Sequence, residues 1–368
     1  MKIKQVEYLH LQIPLKQPFQ TSSSLLTVRD IGLLVFHDEV GNTGYGEVSS
    51  FLTPWYTSET LISDEYVVLN MLPTLLKNKT IVHPSECRTL LAPIEGHSML
   101  KAAIEAATWD LYGKQKEQSL SQLLGSICDE VPVGIAIGAH QNIEKTKEEI
   151  HHYMQQGYKR FKLKIIKGKE RKILDEIRNE FQEIPLMFDA NGCYDKKDIR
   201  MLQSLDEYNL LMIEQPFARN EWYLSSELQK NIQTRVCLDE SIESLFDCQL
   251  GVDLKAFRMA NMKYSRVGGI SNAIDFTKYL KANHVESWVG GMIETGISKA
   301  VTLTIASLPY FVIPGDITAS DRFFERDIIT NPFTISNGVI KVQKKYGIGI
   351  EVDEEAVQFY SIKKTKVW

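Results

Sequence analysis

The sequence predicts an α/β protein: a (β/α)8-type barrel with an α+β capping domain at its N-terminal end, completed by the C-terminal tail. Two observations carry this. From about residue 131, short apolar strands alternate with helical stretches, the pattern of parallel strands joined by helical crossovers. Five consecutive strands also end in a charged residue, at the interval of one strand–helix unit.

The first part of the chain follows a different order, strands first and helices after. Residues 2–14 alternate as a strand, and 29–37 (RDIGLLVFH) make a second. DEVGN at 38–42 is a turn leading into GYGEVSSF. Helical periodicity covers 57–77 and 98–118, and KAAIEAATWDLYGK at 101–114 is rich in strong helix formers. A capping domain over 1–125 follows, then a barrel over 126–320, then a segment over 321–368 that packs back on the capping domain. Within the barrel the strands are VPVGIAIG, FKLKI, PLMFDA, LLMIEQP, RVCLDES, FRMANMK, SWVGGMIE and FVIPGDI. They end near residues 138, 165, 189, 214, 239, 263, 292 and 315, eight in all, the number that closes a barrel. A helix follows each of the first seven, and none is evident after the eighth.

Composition excludes several classes. Apolar content of 43% and charged content of 24% are those of an ordinary globular chain. A net charge of −5 with scattered bases gives no nucleic-acid footprint and no basic membrane patch. The five cysteines are odd in number, widely spaced and without a C-x-x-C, which fits reduced thiols and no zinc framework. The N-terminus alternates and lacks the apolar core of a signal peptide, and no apolar run reaches membrane-spanning length. A cytoplasmic protein is expected, with no membrane or nucleic-acid partner.

The charged strand ends are Lys164, Asp189, Glu214, Asp239 and Lys263, with gaps of 25, 25, 25 and 24 residues. In a barrel these ends converge on one mouth. Three carboxylates on adjacent strands repel one another unless a cation joins them. Oxygen donors without His or Cys favour Mg²⁺, with Mn²⁺ as a substitute. A lysine on each flank supplies candidate bases for removing a proton next to a carboxylate. Lys162 alternates onto the same face as Lys164 and would be its neighbouring cation. Any one of these acids also reads as a helix N-cap, Asp239-Glu240-Ser241 most of all. Capping does not explain five in register, and lysine is a poor cap. The glycine-rich SWVGGMIETGISKA (287–300) reads equally as an anion-binding helix start or as a plain strand–helix turn.

These residues sit within longer stretches that resemble a known family. PFQTS (18–22), TPWYTSET (53–60), KAAIEAATWDLYGK (101–114), GYKRFKLKI (157–165), FDANGCY (188–194), MIEQPF (212–217), CLDES (237–241), NMKYSRVGG (261–269), GGMIETGISKA (290–300) and PGDITAS (314–320) span nearly the whole chain. Together they resemble the enolase superfamily, in its muconate-lactonising-like branch. Within that branch the likeness is to the Gram-positive group of o-succinylbenzoate synthases and N-succinylamino acid racemases. The resemblance implies a modified barrel, Asp189, Glu214 and Asp239 as Mg²⁺ ligands, Lys164 as acid/base and Lys263 opposite it. It implies dehydration of 2-succinyl-6-hydroxy-2,4-cyclohexadiene-1-carboxylate to 2-succinylbenzoate, a step toward menaquinone. It marks Ser22, Tyr56, Asn191, Arg266, Gly290, Gly291 and Met292 as substrate-binding, with Phe19, Phe51, Trp55 and Tyr56 on a lid over the mouth. A small carboxylate substrate and a homo-oligomer are expected. Racemisation through both lysines is the alternative, and Arg266, one turn past Lys263, would lower the pKa of Lys263 for that purpose. A catalytically silent barrel used for binding is a further alternative. Met262 stands where the family has a branched aliphatic, and PGDI lacks the paired acids of dipeptide epimerases.

Overall fold

The computed structural model describes residues 1–20, 25–138 and 140–368. Ser22 lies outside the described residues. An antiparallel four-stranded sheet opens the chain, in the order Ser361–Lys366, Ile3–Gln20, Leu25–Asp38, Thr43–Val48. The first two strands extend beyond the alternation in the sequence. The first runs on past Pro14 through a register irregularity between Pro14 and Phe19, the place where a proline is tolerated in a strand. Helix Ser98–Lys116 packs on this sheet. Gly44 and Gly46 make that approach possible, because a Cβ there would meet Ala107 O at 2.4 Å and Ala103 O at 1.9 Å. The helix expected over 57–77 is instead two, Leu61–Asn70 and Leu72–Leu76, with Pro73 in the first turn of the second.

The larger sheet has eight parallel strands: Ile135–Ile137, Phe161–Lys164, Leu186–Asp189, Met212–Glu214, Arg235–Leu238, Met259–Met262, Glu286–Val289 and Phe311–Ile313. A helix follows each of the first seven. After the eighth, the described residues hold a one-turn 3-10 helix, Ser320–Arg322. The sheet curls until its first and last strands approach. They meet at an isolated parallel bridge, Val133–Gly315, where Gly134 N donates to Gly315 O at 2.8 Å, and not along a ladder. Arg160 is wedged at this seam. Its Nε donates to Pro314 O at 2.7 Å and its guanidinium pairs with Asp316. A Cβ at Gly134 would meet the Arg160 guanidinium at 2.5 Å, so a larger residue there would displace Arg160 from the seam.

The strand period of two sorts the side chains. Leu163, Phe188, Ile213, Leu238 and Met262 point outward into the core shared with the helices. Met187, Met212, Cys237, Met259 and Trp288 point inward and form a separate buried layer. Two residues further along the three middle strands stand Asp189, Glu214 and Asp239. The sulfur-rich layer is thus the floor beneath the charged residues. No helix among the described residues is long and apolar enough to cross a membrane.

Candidate active site

Lys164, Asp189 and Glu214 are the last residues of their strands, and the ladder pairs Lys164 with Asp189 and Asp189 with Glu214. Asp239 and Lys263 each stand one residue beyond theirs. Lys162 and Lys164 share the inner face. Beneath them the Trp288 ring lies 5.2 Å from Lys162 Nζ.

Each carboxylate of the row is engaged by a cation. Lys164 Nζ donates to Asp189 Oδ2 at 2.5 Å and to Asn191 Oδ1 at 2.7 Å. Lys162 Nζ lies 2.5 Å from Asp316 Oδ2, 3.1 Å from Glu214 Oε2 and 3.5 Å from Asp189 Oδ2. Lys263 Nζ donates to Asp239 Oδ2 and to the Tyr56 hydroxyl, both at 2.9 Å. Arg266 pairs with the other oxygen of Asp239. Burial opposes the charge on Lys162, but Asp316, Glu214 and Asp189 outweigh it and hold the ammonium above the ordinary lysine range. Burial likewise pulls Lys263 down, while Tyr56 and Glu240 lift it further, so it too sits above the ordinary range. That is opposite in direction to the lowering expected from Arg266. The guanidinium is committed to Asp239, and Lys263 answers to Tyr56 and Glu240. Burial raises Asp189, but Lys164 and Lys162 bring it below the usual carboxylate range. Burial and the adjacent Asp189 push Glu214 up.

A cavity of about 400 Å³ opens above this row. Lys162, Lys164, Asp189, Asn191, Asp239 and Lys263 reach it from the eight-stranded sheet, and Phe19, Phe51, Trp55 and Tyr56 line it from the N-terminal domain. The aromatics touch one another: Phe51 and Trp55 centroids are 4.4 Å apart, and Trp55 and Tyr56 5.8 Å. Gly291 and Met292 line the wall, whereas Gly290 and Arg266 do not. Gly290 backs onto Asn261 and Lys263, at 2.0 and 2.7 Å from an added Cβ. Arg266 is 1% exposed, bonded to Asp239, Ile242 O and Asn261 O behind the wall. It holds Asp239 and donates to the hydroxyl of Tyr56, a cavity-lining residue, at 3.3 Å.

Sequence reasoning passed over four residues that the fold brings to the site. Asp316, three residues past the eighth strand, neutralises Lys162, and its signal was the acid of PGDI after an apolar run. Arg160 binds Asp316 from one residue before FKLKI. Asn261 Nδ2 donates to Glu214 Oε1 at 2.8 Å. Glu240, half of what resembled a cap, accepts from Asn191 Nδ2 at 3.0 Å, and its Oε2 is buried without a partner.

The donor set suits a hard divalent cation. Asp189, Glu214 and Asp239 offer oxygen alone from neighbouring strands, and the unpartnered Glu240 Oε2 and Asn261 Oδ1 add further oxygens beside them. The capping domain has another candidate set. Glu59, Asp64 and His97 are the donors that converge within 4.8 Å among the described residues. These are satisfied internally: His97 Nδ1 lies 2.5 Å from Asp64, Ser50 Oγ donates to Asp64, and Met99 N donates to Glu59 at 3.0 Å.

Residues 3–125 match the N-terminal domain of mandelate racemase/muconate lactonizing enzymes, and 145–356 match the enolase C-terminal domain-like family. The chain belongs to this family, the enolase superfamily, whose members bind a divalent metal and act on small carboxylates. It is 40% identical to an o-succinylbenzoate synthase of Enterococcus faecalis, over 98% of each chain. It is 36% identical to an N-succinylamino acid racemase of an Amycolatopsis species, over 100% of this chain and 99% of the other. An enolase-superfamily structure from Listeria innocua superposes with a TM-score of 0.97 at 37% identity, covering 100% of this chain and 99% of that one.

Proposed function

We propose that the protein is an o-succinylbenzoate synthase, a lyase that removes water from 2-succinyl-6-hydroxy-2,4-cyclohexadiene-1-carboxylate in menaquinone biosynthesis. The observation that carries this is the row Asp189–Glu214–Asp239 with a lysine at each end; Asp189, Asp239 and both lysines line one cavity beside aromatic side chains, and Glu214 is buried between them. Full-length likeness to the synthases, at 38–40% identity in five relatives, supports the same reading. Asp189, Glu214 and Asp239 would hold Mg²⁺, or Mn²⁺ in its place. The ion would offset charge developing on the substrate carboxylate as its α-proton leaves.

Lys164 takes that proton and returns one to the departing hydroxyl, so that water leaves and the ring becomes aromatic. One lysine serves both halves when elimination is syn. Leu163, between the two lysines of the strand, faces outward into the core, so the proton path is confined to the inner face. Lys263, bonded to Asp239 and Tyr56, remains a cation across the cavity and balances the enediolate. Lys162 is a second fixed cation. Phe51, Trp55 and Tyr56 exclude water from the ring. The unit over 1–125 acts as the cap, 126–320 as the barrel, and 321–368 as the returning segment. The enzyme works in the cytoplasm as a homo-oligomer.

Lys263 also favours a second activity, racemisation of N-succinylamino acids, since it faces the cavity from the side opposite Lys164. The test is steady-state dehydration with Mg²⁺, beside deuterium exchange on each enantiomer of a succinylamino acid. The synthase reading fails if no dehydration is seen. Lys263→Ala should abolish exchange on one enantiomer; full racemisation by Lys263→Arg would refute the two-base route.

A further inference from the structure

We propose that Glu294 is a positioning residue that, with Arg29 of the capping domain, sets the cavity wall Gly291–Ile293 and so the fit of the substrate's side chain. This rests on the lyase reading. The wall is held through its backbone by buried charged side chains. Met292 N donates to Glu294 Oε2 at 2.5 Å. Ile293 O accepts from Arg29 Nε at 2.8 Å. Thr295 N and Oγ1 donate to Glu47 at 3.1 and 2.6 Å, and Gly296 N donates to Asp327 Oδ1 at 3.0 Å. Arg29 and Glu47 come from the capping sheet, and Asp327 from the C-terminal segment. Three parts of the chain therefore meet on one loop.

Lys299, one turn into helix Gly296–Ala306, completes the set. It is 2% exposed, and its ammonium has no hydrogen-bond partner, nor has Asp327 Oδ2. Two buried cations thus face three buried carboxylates. Burial lifts Glu294 to about 7 despite Lys299 nearby, and Glu47 to about 6. Capping of the helix does not require Glu294. Thr295 and Glu47 already take the free amides at Thr295, Ile297 and Ser298. What Glu294 holds is Met292 N, the amide of a residue that lines the cavity. Removing this carboxyl acceptor takes the partner from a part-buried amide, and the wall relaxes to find another.

The experiment measures dehydration kinetics and the calorimetric affinity of the product, 2-succinylbenzoate, for Glu294→Ala, Glu294→Asp and Glu294→Gln in the Mg²⁺-loaded full chain. For Glu294→Ala the expected result is a KM and a product Kd raised about 10-fold, with kcat within about 3-fold of wild type. Glu294→Gln keeps an oxygen for Met292 N and should restore most of the loss. Glu294→Asp withdraws the acceptor by one methylene, should raise KM in the same way, and keeps the test open if the alanine variant fails to fold. Unchanged KM and Kd in folded Glu294→Ala and Glu294→Asp, or a fall in kcat at constant KM, would overturn the proposal. If wild type itself neither dehydrates the substrate nor binds the product, the lyase reading fails first and takes this inference with it.

Discussion

Gly290→Ala tests whether the row of charged residues has room to spare. The glycine lies just past the seventh strand, its N–H donating to Met262 O at 2.9 Å. A methyl group there would stand 2.0 Å from Asn261 Oδ1 and 2.7 Å from Lys263 Cε. Contacts under 3.0 Å are essentially never seen, so the Asn261 amide must retreat by about 1 Å. The backbone bond to Met262 resists movement in the other direction. A 1 Å shift stretches the 2.8 Å bond from Asn261 Nδ2 to Glu214 beyond hydrogen-bonding range and turns Lys263 away from Asp239 and Tyr56. Overpacking of this kind costs about 1–3 kcal/mol of stability. Misplacing an active-site group by about 1 Å costs about 100-fold in rate. The assay is dehydration kinetics beside thermal unfolding, with Gly138→Ala as a control, since a Cβ at 138 meets nothing within 4 Å. Activity of Gly290→Ala within about 3-fold of wild type, at an unchanged melting temperature, would refute the reasoning.

Removing metal with a chelator should abolish turnover, and Mg²⁺ should restore it in wild type. Asp189→Asn should not be restored and should lose calorimetric Mg²⁺ binding, because one of the three proposed oxygen ligands would be gone and Lys164 would lose its carboxylate partner. The capping domain should lose stability as pH rises. Burial, with Asp64 beside it, lifts Glu59 from 4.5 to about 8, and the bond to Asp64 holds His97 above 6.5. Both groups bind protons more tightly folded than unfolded. Their stabilising contribution is complete at low pH and is lost as pH climbs from the unfolded values through the folded ones. The melting temperature should fall between about pH 5 and pH 8, and Glu59→Gln should flatten that slope; an identical slope in the variant would count against it.

Periodicity made the eight-stranded parallel sheet legible, and its reach explains what was missed. Eight apolar runs separated by helical stretches are a pattern repeated within one chain, so the strand count needed no single strong element. The eighth unit lacks its helix because the chain after Ile313 turns at once through Gly315 and Asp316 to the seam with the first strand. Nothing local in FVIPGDI reports that meeting. The five charged strand ends were visible as a spacing because each sits at one fixed point of its unit. Asp316 stands three residues past its strand, and its meaning depends on Arg160 and Lys162, which are more than 150 residues away in sequence. Glu240 and Asn261 were hidden for another reason. Beside Asp239 a second acid reads as a helix cap, and an Asn inside a strand carries no charge signal. Spacing alone put Arg266 beside Lys263 and could not show that the two share Asp239 and the Tyr56 hydroxyl as partners.

The paired lysines of FKLKI separate into different roles once their surroundings are compared. Lys162 has a side chain 6% exposed and three carboxylates around its ammonium. Lys164 is 17% exposed, bonded to one carboxylate and one amide, with its tip toward the cavity. A group that must give and take a proton needs access and few fixed partners, which describes Lys164. A group that must stay charged needs the opposite, which describes Lys162. Methionine, similar in length and uncharged, tells them apart. Lys162→Met leaves Asp316 and Glu214 short of a buried cation, a change that costs about 3–5 kcal/mol when one partner of a buried pair is removed. It should lower the melting temperature as well as the rate. Lys164→Met removes a more exposed partner from Asp189, which keeps Lys162 nearby. It should melt close to wild type yet lose turnover by about 10³-fold or more. Equal melting temperatures for the two variants would refute the fixed-cation role of Lys162, and turnover surviving in Lys164→Met would refute Lys164 as the group that moves the proton.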